Sequence, residues 1–316
     1  VLAVAGLLGL GAAFIYFKGV PEYTFAPTPE ITALQVPKGD STLIERGLKI
    51  ANVLCKECHR GNDSKMSGSL RTDLPKMFGQ VASYNITRDS VHGIGKWTDG
   101  ELYYFLRTGI RKNGSWAPPF MPKYVNMADE DIKSIIAWLR SDDPALDPSS
   151  KEYPANRYNF LVKFLSNVAF SAPPLPQKPI LLPDTSDQLA LGKYLADGVF
   201  DCYACHSGDL TKLDINTPSN SFRYYGGGNL MQNMEGEIVQ TANLTMHLEN
   251  GIGKWTEQQF IEAVKYAKKP GGGSLAYPMT PHATLTDQEA GAIFAYLKTV
   301  PVIDYKVDRY VAKDSK

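Results

Sequence analysis

Cys55-Lys56-Glu57-Cys58-His59 and Cys202-Tyr203-Ala204-Cys205-His206 account for all four cysteines of the chain. Both read C-x-x-C-H. That spacing puts two thiols on one side of a helical turn and lets the next imidazole reach the same centre. It is the attachment pattern of haem c, with thioether links from the thiols and the histidine on iron, so the sequence predicts two covalently bound haems c. No cysteine is left for a structural disulfide. A zinc site needs about four ligands arranged as a tetrahedron, whereas each motif offers three in one tight cluster. Bacterial haem c attachment takes place outside the cytoplasmic membrane. The expected location is therefore the bacterial cytoplasmic membrane, with the haem domains in the periplasm.

The two motifs belong to an internal repeat. Gly93-Ile94-Gly95-Lys96-Trp97-Thr98 recurs 158 positions later as Gly251-Ile252-Gly253-Lys254-Trp255-Thr256. Asn85, Thr87 and Met121 recur at the same offset as Asn243, Thr245 and Met279. Ile132, Ile135, Ile136 and Leu139, an i, i+3, i+4, i+7 stripe, match Ala290, Ile293, Phe294 and Leu297. The haem motifs are only 147 apart, so the second copy has 11 more residues between motif and GIGKWT, in a stretch containing Gly226, Gly227 and Gly228. Each copy reads as helix, haem motif, loop, helix, Met loop, helix. Thr42 with Glu45, Ser186, and Thr286 with Glu289 are the expected helix starts. Gly47 and Gly192 are expected close crossings for the last helix of each copy, with Trp138 and Tyr296 packed nearby.

The expected fold class is all-α: an N-terminal transmembrane helix followed by two tandem class I cytochrome c domains. The boundaries are an anchor over 1–20, a linker over 21–40, a first domain over 41–143, a Pro-rich connector over 144–185, a second domain over 186–302 and a tail over 303–316. Val1 to Phe17 carries no charge before Lys18, which reads as an anchor or an uncleaved signal peptide. Tyr158 to Phe170, YNFLVKFLSNVAF, reads as a short helix or an apolar strap within the connector. Lys+Arg and Asp+Glu are both 33, which excludes the basic excess of a nucleic-acid binder.

The sixth iron ligand separates electron transfer from catalysis. Met121 lies in Pro-Pro-Phe-Met-Pro and Met279 in Tyr-Pro-Met-Thr-Pro. Prolines fix φ, so such loops hold a weak thioether at little ordering cost. The iron ligands are thus expected to be His59 with Met121 and His206 with Met279, a pairing that raises potential and suits electron transfer. Met66, Met77, Met127, Met231, Met234 and Met246 lack a matched context and read as packing. His92, His247 and His282 read as surface or hydrogen-bonding residues. Trp97 and Trp255 are expected in the haem pockets, either donating the indole N–H to a propionate or simply packing. Lys96 and Lys254 read as solvated, and Asn85 and Asn243 as turn-stabilising residues.

Asn85-Ile86-Thr87, the GIGKWT segments, the Pro-Phe-Met-Pro loop and the final Ala-Asp-Glu-Asp helix resemble the multihaem cytochrome c subunits of bacterial membrane-bound dehydrogenases, over roughly 41–302. That family oxidises alcohols, aldehydes or sugar acids through a partner subunit and usually carries three haem motifs; this chain has two. The resemblance implies a non-catalytic electron carrier with a membrane and redox proteins as its partners. A relay within a respiratory or photosynthetic complex and a dehydrogenase cytochrome subunit both suit it. A dihaem peroxidase would need a vacant iron position, and a gas sensor would need tight carbon monoxide binding.

Overall fold

The structure, a computed structural model, describes residues 2–233 and 235–308. Val1, the candidate Met234 and the 309–316 end of the tail lie outside the described residues. The chain divides into two compact units. One holds the residues up to Val125 together with Glu130–Lys178; the other holds Asn126–Asp129 together with the residues from Pro179 on.

The first unit runs α1 (Leu2–Lys18), α2 (Pro29–Thr32), α3 (Ser41–Leu54), α4 (Lys56–His59), β1 (Ser69–Leu70), β2 (Gly79–Gln80), β3 (Ala82–Ser83), α5 (Asp99–Thr108), α6 (Asp129–Arg140, apart from its first residue), β4 (Arg157–Tyr158) and α7 (Phe160–Val168). α3 starts at Asp40, whose carboxylate accepts from the amides of Thr42 (3.0 Å) and Leu43 (3.1 Å). The expected Thr42–Glu45 box is displaced by this stronger cap just upstream. Ile132, Ile135, Ile136 and Leu139 are all buried on α6, each contributing roughly 1.5–3 kcal/mol of apolar burial. α3 meets α6 at Gly47, where a Cβ would lie 1.9 Å from the Ser134 carbonyl oxygen. The segment between α1 and α3 lies on this unit: Tyr23 packs on Trp116 (5.7 Å between rings) and Phe25 on Tyr104 (4.8 Å).

The second unit runs α8 (Gln188–Lys193), a π-helix (Tyr194–Val199), α9 (Cys202–His206), β5 (Leu230–Gln232), β6 (Ile238–Gln240), α10 (Glu257–Tyr266) and α11 (Asp287–Leu297). Asp187 caps α8 through the amides of Leu189 and Ala190, both at 3.0 Å, while Ser186 instead donates to Asp184. The Thr286–Glu289 capping box at α11 forms as expected. Gly192 repeats the crossing seen at Gly47: its Cβ would lie 1.9 Å from the Ala292 carbonyl oxygen and 3.0 Å from Tyr296 Cβ. Two further capping boxes, Thr98 with Glu101 and Thr256 with Gln259, turn each GIGKWT segment into the helix behind it.

The all-α expectation with a transmembrane helix is not met. The long loops pair short extended segments into three two-stranded antiparallel ladders, β1–β3, β2–β4 and β5–β6. Sequence periodicity missed them because two or three residues show no alternation. The second copy's extra length lies between His206 and Gly227, whose amide donates to the His206 carbonyl as the Gly68 amide does to that of His59. α1 has 17 residues, about 26 Å at 1.5 Å per residue, against a hydrocarbon core of about 30 Å. No described helix is long and apolar enough to cross a membrane.

Candidate haem-binding sites

α3 ends at Cys55, and the single turn of α4 carries Cys58 and His59 onto the same side. His59 is fixed twice. Its Nδ1 lies 2.7 Å from the Tyr84 carbonyl oxygen, and its own carbonyl accepts from the Gly68 amide at 2.8 Å. A carbonyl only accepts, so Nδ1 carries the proton and Nε2 keeps its lone pair. Burial, offset by the bond to Tyr84, holds this imidazole below its ordinary range, so it is neutral at pH 7. Ser69 and Ser83 both donate to the Cys58 carbonyl, pinning the motif to the β1–β3 ladder.

The second copy repeats this arrangement. His206 Nδ1 lies 2.8 Å from the Ala242 carbonyl oxygen, and the Gly227 amide donates to the His206 carbonyl at 2.8 Å. Burial again lowers the imidazole. Tyr84 and Ala242 stand directly before Asn85 and Asn243. Each Asn accepts from the amide (2.9 Å) and hydroxyl (2.7 Å) of the threonine two residues on. Asn85 donates to the Ser149 and Lys151 carbonyls, and Asn243 to those of Ile303 and Tyr305. The turn role expected of both asparagines therefore has a purpose: it holds the carbonyl that orients the histidine.

Burial pushes the Cys55 thiol up to about 12 and raises Cys58, Cys202 and Cys205 as well. Before thioether links form, thiols so raised stay protonated, which disfavours disulfide formation.

The methionine loops match in the same way. The Met121 amide donates to the Pro118 carbonyl and the Met279 amide to that of Ala276, each at 3.1 Å. Both side chains are half-buried. Met66 and Met127 are fully buried packing residues, and Met77 is exposed. Met231 sulfur accepts from Asn229, 3.7 Å away. His92 pairs with Asp89 and Glu152, and His247 with Asp304. His282 is three-quarters edge-on to Phe200 (73° between planes) and bonds through Nδ1 to the Thr280 carbonyl at 2.9 Å.

Of the four tryptophans, Trp116 donates to the Thr108 carbonyl and Trp138 to Asp143. Among the described residues neither Trp97 nor Trp255 has a protein acceptor for its indole N–H; both are half-buried. Trp97 is edge-on to Phe105 (5.7 Å). Lys96 is exposed, and Lys254 pairs with Glu249 at 2.6 Å.

Sequence reasoning missed two groups. Arg111 lies over Tyr84 (4.5 Å) and Phe105 (5.1 Å), which joins His59's acceptor residue to Trp97's neighbour. Lys123 donates to the Pro118 carbonyl at 2.8 Å and lies over Trp116 at 4.7 Å. Burial lowers both cations, Lys123 strongly. In the second copy the buried Asp197 carboxylate accepts from Tyr224 (2.6 Å), Tyr225 (2.8 Å) and Tyr296 (3.1 Å) and pairs with Lys193 at 3.2 Å. Lys123 and Asp197 have no like counterpart at the repeat offset, and Arg111 is matched by a lysine, so the repeat drew no attention to these charges.

The residues fit haem c in both copies: paired thiols, a neutral histidine with Nε2 left for iron, and a methionine on a fixed turn. A cytochrome c family model matches residues 44–143. That stretch, which holds the first motif and Met121, is similar to cytochrome c. The chain is similar to the fructose dehydrogenase cytochrome subunit of Gluconobacter japonicus, at 29% identity over 78% of this chain and 50% of the relative. The cytochrome c subunit of the quinone-type alcohol dehydrogenase of Gluconacetobacter polyoxogenes is 27% identical over 86% of this chain and 59% of the relative. A "diheme cytochrome c-type" protein of Cereibacter sphaeroides is 27% identical over 79% of this chain and 83% of its own length. The chain thus spans about half the length of the dehydrogenase subunits it matches.

Proposed function

We propose that this chain relays single electrons between redox partner proteins through two haems c. The first is held by Cys55, Cys58 and His59 with Met121, and the second by Cys202, Cys205 and His206 with Met279. Bound haem supplies an iron that changes by one electron between ferric and ferrous states. The observation that carries the reading is the duplicated histidine geometry: in each copy Nδ1 is committed to a backbone carbonyl and Nε2 is left over. The Pro-held turns at Met121 and Met279 supply a thioether to each centre, so both irons are filled on both faces and neither is offered to a substrate. His/Met ligation favours a raised potential. The chain is then a non-catalytic component. The Trp97 and Trp255 indoles, without protein acceptors, are suited to donate to haem propionates.

The partner reading follows the relatives, which are named as cytochrome subunits of fructose and alcohol dehydrogenases. The donor proposed here is a dehydrogenase subunit of the same complex; a quinol-oxidising respiratory or photosynthetic unit is the other source of electrons. The chemistry of haem c attachment supports a periplasmic location for both haem domains. The mass of the purified chain tests the cofactor count: two haems' worth of added mass that survives acidified organic solvent is expected, and one or none refutes it. Met121→Ala and Met279→Ala are each expected to abolish the sulfur-to-iron charge-transfer band of one centre and lower its potential. Unchanged spectra in both variants would refute the ligand assignment. Turnover of hydrogen peroxide by the half-reduced protein would refute the non-catalytic reading.

A further inference from the structure

We propose that Arg111 and Lys123 are the propionate clamp of the haem at His59, a clamp the second copy lacks, and that it makes the first centre the higher in potential. This rests on the two-haem reading above. Arg111 is packed between the rings of Tyr84 and Phe105, and Lys123 is packed over Trp116. Their protein hydrogen bonds go to a hydroxyl and a carbonyl, those of Ser115 (3.4 Å) and Pro118 (2.8 Å). Neither has a carboxylate partner among the described residues. Taking a cation out of water costs several kcal/mol unless an anion compensates it. Three other arginines in this unit have carboxylate partners: Arg88 pairs with Asp142 and Asp147, Arg140 with Asp99, and Arg71, beside the first motif, with Asp73. Haem brings two carboxylates of its own, and a guanidinium fork binds a carboxylate in two parallel hydrogen bonds. Tyr84 links Arg111 to the histidine site, because the carbonyl of that same residue accepts from His59.

The second copy lacks this feature. At the repeat offset, Lys269 stands for Arg111 and Pro281 for Lys123. Lys269 occupies the same turn, its amide donating to the Gly273 carbonyl at 3.0 Å as Arg111's does to Ser115 at 2.9 Å, but among the described residues its ammonium lies over no aromatic ring, whereas Arg111 lies over two. The charge buried beside the second motif is instead the carboxylate of Asp197, reached from Cys202 through Tyr225. Positive charge near iron disfavours the ferric state and raises the potential, and negative charge does the reverse. Electrons then pass from the second centre to the first and leave from the first.

Redox titration of the full holo-chain tests this. Two one-electron waves are expected. Arg111→Gln should lower the upper wave by a tenfold change in equilibrium or more, 59 mV for one electron, and leave the lower wave in place. Arg111→Lys should retain most of the wild-type midpoint, and Lys269→Gln should shift the lower wave by less than threefold. Should Arg111→Gln fail to load haem, Lys123→Met carries the same expectation. A shift of the lower wave, no shift of either, or an Arg111→Lys as low as Arg111→Gln overturns the proposal. Loss of the sulfur-to-iron band in the wild-type protein would instead sink the ligand reading, with the wave shifts still reporting on the clamp.

Discussion

Replacing Gly47 by Ala sets two effects of opposite sign against each other. Alanine favours a helix interior over glycine by about 1 kcal/mol, so propensity alone would stabilise α3. The new methyl, however, would sit 1.9 Å from the Ser134 carbonyl oxygen, 2.5 Å from its carbon and 3.0 Å from Trp138 Cβ. A relaxed carbon–oxygen contact is about 3.3 Å, so α3 and α6 would have to separate by about 1.4 Å. The obstacle is helix backbone, which cannot rotate away. A gap of 0.5–1 Å already forfeits a quarter to a half of each van der Waals contact, and overpacking costs about 1–3 kcal/mol. Taking the upper end and subtracting the propensity gain leaves a net loss of about 2 kcal/mol. For a unit of this size that lowers the melting midpoint by about 4–8 °C. Thermal unfolding of the holoprotein followed by circular dichroism reads it, with Gly192→Ala as the matched experiment in the second unit. An unchanged or raised midpoint in both variants would show that the helices do not approach as described.

Other expectations are more local. Asn85→Ala strands the Thr87 amide and hydroxyl and frees the Tyr84 carbonyl that orients His59. A loss of about 1–3 kcal/mol in denaturant unfolding is expected, with Asn243→Ala matching it. Thr98→Ala removes a capping box and should cost about 1 kcal/mol, measured by the same titration. The amides of His92 and Val91 hold the Asp89 carboxyl below its ordinary range. As pH falls, the unfolded chain therefore takes up this proton first, and the contribution is lost between the ordinary aspartate range near 4 and the lower folded value. Asp89→Asn should flatten that part of the acid limb in denaturant midpoints taken from pH 5 to 2, and an unaltered slope would refute the assignment.

The haem motifs, the duplicated blocks and the α6 stripe were legible because each rests on local spacing. The glycine crossings were legible because only glycine removes a side chain at a helix contact, and the repeat flagged both. The helix starts at Asp40 and Asp187 were misread because several capping residues stand in a row and tertiary packing selects one. The ladders were illegible, since pairs such as Gly79 with Tyr158 depend on contacts nearly eighty residues apart. Arg111 and Lys123 escaped notice because a cation's missing partner is visible only in three dimensions. The carbonyls of Tyr84 and Ala242 escaped because backbone acceptors carry no residue signature.

Cys55 follows Gly47 by eight positions, while Cys202 follows Gly192 by ten. In an uninterrupted α-helix two added residues would swing everything downstream through about 200°, aiming the second porphyrin anchor away from its acceptor. The wider π-turn at Tyr194–Val199 and the left-handed break at Asp201 (φ 47°) take up the surplus, and His206 still finds the Ala242 oxygen. Angular phase, not helix length, is what the duplicated segment has had to keep, and the loosened turn marks where an insertion was absorbed without disturbing it.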